Sequence, residues 1–123
     1  MTHRYLTRFQ AARLKENRIK MILVNQAIDR KNHLMEEVSK VNTYAERLEK
    51  LIRLYEYVRD TPILMDTLNG FREDVWEKLN ILEELLLEKS QKIDPSVSEY
   101  DRRVEKLIDR AFDVIEDIRA EYW

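Results

Sequence analysis

Apolar residues recur along this chain at helical spacing, almost without interruption. Leu64, Leu68, Phe71, Val75, Leu79, Leu82 and Leu86 step by three or four, as do Val97, Tyr100, Val104, Leu107, Ala111, Val114 and Ile118. At about 100° per residue, Tyr5, Phe9, Ala12, Ile19, Leu23, Ala27, Leu34, Val38, Val41, Ala45, Leu48 and Ile52 fall within one broad stripe. No stretch alternates with the period of a strand.

The breaks in this pattern are few. Thr61 before Pro62, and Asp94 before Pro95, are polar caps followed by the residue that starts a helix at no hydrogen-bonding cost. A third break is predicted in "IDRKNHLMEE", where basic Arg30 and Lys31 suit a helix end, Asn32 suits a left-handed residue, and Glu36 and Glu37 suit a new helix start. Four helices follow, over 3–30, 33–59, 62–91 and 95–122, each about 40–45 Å long. Near-equal lengths predict an all-α fold, an antiparallel up-down four-helix bundle, with residues 1–123 as a single domain. The alternative is three helices, because the apolar stripe keeps its phase across residues 29–33. The first would then be very long, about 57 residues or roughly 85 Å, and would call for a coiled-coil dimer. Gly70 lies inside the third stripe, where close helix contact is the expected reason for it.

Composition sharpens this reading. One Gly, two Pro and no Cys in 123 residues leave little material for phosphate loops or hairpins, and none for disulfides, thiolate metal sites or thiol nucleophiles. The chain is 44% hydrophobic and 37% charged, too apolar for disorder and too charged for a membrane protein. No apolar run approaches the roughly 18 residues of a membrane span, so a soluble chain is expected, and the lack of Cys fits a reducing compartment, so a cytoplasmic location is expected.

Charge is distributed unevenly. Residues 1–32 hold eight Lys or Arg against Glu16 and Asp29, in a chain of net charge −2. Arg4, Arg8, Lys15 and Arg18 flank one side of the Tyr5/Phe9/Ile19 stripe, and Arg13 and Lys20 the other. Asp101, Glu105, Asp109, Asp113, Asp117 and Glu121 lie four apart and form an acidic ridge on the last helix. In an up-down bundle the first and fourth helices are neighbours, so basic start and acidic ridge are expected to pair within the molecule.

Catalytic chemistry finds no pattern here. His3 and His33 show no metal-ligand spacing, the ridge reads as solvated, and no catalytic, cofactor-binding or metal residues are assigned. The expectation is a non-enzymatic protein–protein interaction module, of the adaptor, assembly-factor or chaperone-like kind. It would work by packing charge-flanked apolar helix faces on a protein partner, with a second copy of itself among the options. Partner-binding candidates are Arg4, Arg8, Phe9, Lys15, Arg18, Leu23, Asp109, Asp113, Asp117 and Glu121. The alternative is nucleic-acid binding through the basic first helix, which an acidic body with no recognition motif disfavours. Trp76 and Trp123 read as packed or half-exposed aromatics before they read as partner anchors.

Overall fold

The computed structural model describes residues 7–123. Among these the secondary structure is helical: α1 (Arg8–Ser39), α2 (Tyr44–Arg59), α3 (Pro62–Thr67), α4 (Phe71–Ser90) and α5 (Glu99–Tyr122). The expected all-α class is present, but the helices are divided differently from the sequence pattern.

Residues 29–33 are continuous helix. Asn32 and His33 sit on the exposed side of α1, where His33 Nε2 lies 3.2 Å from Glu37 one turn on. Both the break predicted there and the uninterrupted helix to residue 59 are therefore corrected: the chain turns at Lys40–Thr43. Ser39 Oγ donates to the Glu36 carbonyl (2.7 Å), and Thr43 Oγ1 accepts from the Glu46 N–H (3.2 Å). A side-chain cap thus replaces the backbone ladder at that point.

The predicted 62–91 helix is two elements. Pro62 opens α3 as expected, but Thr61 makes no side-chain cap, and the chain turns again before Gly70. Gly70 has φ +75°, in the left-handed region, and a Cβ built on it would meet nothing within 4 Å. The glycine therefore serves a backbone turn and not close helix contact, which corrects the earlier expectation. The last helix begins at Glu99 rather than at Pro95. Asp94 Oδ1 instead accepts from the Ser96 N–H (3.1 Å) in a local turn, and Ser98 caps α5 by accepting from Asp101 N–H (3.2 Å).

Packing departs from an up-down bundle in one main respect. Tyr100 meets Ala45, Arg103 meets Glu49 (2.6 Å), Arg110 meets Glu56 (3.9 Å) and Asp117 meets Arg59 (3.2 Å), so α2 and α5 run parallel and share the main interface. In an up-down arrangement these two would lie diagonally. Here they are pressed together, with α1 on α2 and α4 on α5. Arg119 reaches Glu83 (2.6 Å) and Asn80 (2.7 Å), and four residues on Trp123 meets Trp76, which sets α4 antiparallel to α5. The core is made by Ala45, Ile52, Leu64, Leu79, Leu86, Val104, Ile115 and Ile118, all nearly inaccessible. Burying each large aliphatic side chain stabilises the fold by about 1.5–3 kcal/mol.

Candidate interaction surfaces

The core supports only the second half of α1. From Ala27 onward the helix buries Ala27 and Leu34 and half-buries Ile28 and Val38, while every residue from Arg8 to Leu23 is exposed. These 16 residues extend about 24 Å as an arm. Its start is secured by a reciprocal cap, in which Thr7 Oγ1 accepts from Gln10 N–H (3.1 Å) and Gln10 Oε1 accepts from Thr7 N–H (3.0 Å).

The arm carries Phe9 at 72% exposure, with Leu14, Ile19, Met21, Ile22 and Leu23 also open. Ile19 to Val24 present apolar groups around most of the helix circumference, so one flat surface could cover only part of them. Its charges are Arg8, Arg13, Lys15, Arg18 and Lys20 against Glu16, and none of the five cations has an ion-pair partner among the described residues. Arg13 lies over the Phe9 ring at 5.5 Å.

Of the predicted site residues, Arg8, Phe9, Lys15, Arg18 and Leu23 lie together on this arm, whereas Arg4 falls outside the described residues. Asp109, Asp113 and Glu121 are exposed on the outer side of α5, and Asp117 is held by Arg59. The two sets do not meet. α1 packs on α2 and α3 and makes no contact with α5, so the expected pairing of basic start with acidic ridge is corrected. The cause is the parallel α2–α5 interface, which places α2 between them.

Of the ridge, Asp117 is neutralised by Arg59, and further ion pairs cross or flank the α2–α5 interface. Arg59 is bonded to both oxygens of Asp60 (2.9 and 3.2 Å) and to Asp117, which holds the Asp60 carboxyl below the usual range and keeps Arg59 charged. Arg103 likewise lowers Glu49, chiefly through its hydrogen bond. At the end of α5, the Trp123 and Trp76 rings meet at a tilt of 55° with centroids 5.1 Å apart, covered by Arg72 and Arg119. The two tryptophans thus pair with each other while staying half-open.

A second feature has no counterpart in the sequence reading. α2 and α4 lie side by side without close backbone approach, and two open recesses of 380 and 230 Å³ lie along the seam between them, the second also walled by α1, with Leu51 lining both. Periodicity alone could not reveal this groove, because its lining residues read as ordinary core positions. Among the described residues no helix is long and apolar enough to cross a membrane, and no three His, Asp or Glu side chains gather where they could hold a metal ion.

Comparison with models of known protein families, with curated proteins and with solved structures finds no match to this chain.

Proposed function

We propose that this chain is a non-enzymatic protein–protein interaction module, adaptor-like or chaperone-like, that offers the arm of α1 to a partner protein. The reading is supported by a single observation: a capped helix runs for about four turns, Arg8 to Leu23, without one buried residue while exposing Phe9, Ile19, Met21, Ile22 and Leu23. Large contiguous apolar surface of this kind marks interaction sites in soluble proteins. The flanking cations give the partner a sign. An acidic face would be steered toward the arm and held in register, while its apolar side chains supply the affinity. The exposed acids of α5 on a second copy, Asp109, Asp113 and Glu121, are one such face, which makes self-association the first case to test.

The test is molar mass by light scattering, with small-angle scattering, on the full chain and on Phe9→Asp and Leu23→Asp. A dimer that both substitutions dissociate makes the arm an assembly helix. If the chain is monomeric, tagged wild type and the two variants are compared in pull-downs from the source organism. Proteins retained by wild type and lost by both variants support the module, and equal retention by all three overturns it.

The five arm cations, unpaired among the described residues, also favour a second reading, nucleic-acid binding, with phosphates as their counter-charges. Against it, Arg13 and Lys20 lie on the opposite flank from Arg8 and Lys15, so no single track faces a backbone. An oligonucleotide shift that weakens steeply with salt and is lost in Arg8→Ala/Lys15→Ala would support this reading over the first.

A further inference from the structure

The groove between α2 and α4 is built by two helical stripes facing one another. From α2 it takes positions spaced three or four apart between Tyr44 and Val58, and from α4 the corresponding series between Phe71 and Lys89. The α2 stripe is about 21 Å long, the length of about four turns of helix. Its apolar lining includes Leu51, Leu54, Val75, Leu82 and Leu85, and Leu85 is 54% exposed.

The rim has a definite sign. Lys78 is paired with Asp74 (3.0 Å) and Lys92 with Glu88 (2.8 Å), so the two acids that line the groove are already neutralised. Arg47, Lys31 and Lys89 also line it and have no ion-pair partner among the described residues. Lys31 lies over the Phe71 ring at 5.4 Å and Lys89 over the Tyr44 ring at 4.8 Å, one toward each end of the groove. An apolar channel one helix long, edged by uncompensated cations, is complementary to an amphipathic helix with acidic flanks.

No described segment of this chain meets that requirement. The arm of a second copy has the right length, but its five cations would face Arg47, Lys31 and Lys89, and like charge across an interface is unfavourable. α5 is acidic, yet its apolar face is spent on the core. We infer that the α2–α4 groove receives an acidic amphipathic helix from a different protein. This rests on the reading of the chain as an interaction module and adds a second docking surface, independent of the arm.

The probe is a labelled peptide of about four helical turns, with Leu at every third or fourth position and Glu on the flanks, beside a twin with Lys for Glu. Fluorescence anisotropy is recorded with the full chain and with three variants: Leu85→Glu, the double substitution Arg47→Glu/Lys89→Glu, and Phe9→Asp. All are checked for native circular dichroism, and Leu85, Arg47 and Phe9 are exposed enough to be replaced without loss of core. The expected result is that the acidic peptide binds at least about tenfold more tightly than its basic twin. Each groove variant should weaken it by a similar factor, in wild type and equally in the Phe9→Asp background, where any peptide held by the arm is already lost. Absence of binding, equal binding of the twins, or insensitivity to both groove variants overturns the inference. Preference for the basic twin also overturns it. Loss of binding only in Phe9→Asp overturns the groove while leaving the arm, and with it the proposed function, in place.

Discussion

Tyr122 Oη donates a 2.8 Å hydrogen bond to the Arg59 carbonyl, tying the last turn of α5 to the last residue of α2. At the other end of the same interface, the Tyr100 hydroxyl accepts from the Ala45 N–H at 3.1 Å. Two tyrosines therefore hold the parallel helices at both ends, with the salt bridges between them on the surface. Exposed pairs of that kind contribute about 0–1 kcal/mol each, so orientation is set more firmly by the buried stripe and the tyrosines than by the charges.

Tyr122→Phe should destabilise the chain by about 1 kcal/mol, since the ring stays packed and only the hydroxyl is lost. Tyr100→Phe should cost a similar amount by leaving the Ala45 N–H without its partner. As the sites are far apart, the double variant should show the sum within about 0.5 kcal/mol. Urea denaturation of the four proteins measures this, and a clearly larger combined loss would show that the interface opens as one unit.

At Gly70 the question is whether conformation or space requires glycine. With φ at +75° and no atom near a built Cβ, Gly70→Ala should cost about 1–2 kcal/mol through the backbone alone. Gly70→Asn should cost less despite its larger side chain, because asparagine tolerates the left-handed region. Stability falling in order of side-chain volume would contradict this.

Much of the core was legible from spacing alone. Leu48, Ile52, Leu79, Leu86, Val104, Leu107, Ala111, Val114 and Ile118 are buried as their stripes require. The α1–α2 boundary was not, because Val41 and Ala45 keep the apolar phase through the turn and the basic-to-acidic switch around Asn32 resembles a helix junction. A local signal was nonetheless present: Thr43 followed three residues later by Glu46 is the spacing of a capping box, and the Thr43 half of it forms. Thr43→Ala should therefore lose about 1 kcal/mol, whereas Asn32→Ala, inside α1, should be neutral or slightly stabilising. Thermal melts of the two variants decide where the helix ends. The open groove and the separation of basic arm from acidic ridge were beyond local pattern, since both follow from α2 pairing with α5 across about fifty residues of chain.

Stability should also separate arm from core. Phe9→Asp replaces an exposed side chain and should change the unfolding free energy of the monomer by less than about 0.5 kcal/mol, whereas Leu23→Asp, half-exposed beside Tyr57, Pro62 and Ile63, should cost about 0.5–1 kcal/mol. Leu79→Ala, at a fully buried position, should cost about 2–5 kcal/mol. Any effect of the arm substitutions on association then reports a lost contact surface, because the fold beneath it is intact.

Tyr55 predicts an alkaline limit. Its hydroxyl is pushed from 10.0 up to about 12, mainly by burial and secondarily by the Asp74 carboxylate. The folded chain thus favours the protonated phenol more than the unfolded chain does. That stabilisation is complete below pH 10, where both states are protonated, and is lost as pH rises toward 12, because the unfolded state ionises first. The loss across this window should reach roughly 2–3 kcal/mol. Burial also raises Tyr44 and Tyr122, so wild type will weaken from several sites. Tyr55→Phe removes one of them. Its urea midpoint should fall less steeply than that of wild type above pH 10, and the two curves should stay parallel below it. Curves that remain parallel throughout would mean that the Tyr55 hydroxyl already reaches water through the α2–α4 groove it lines.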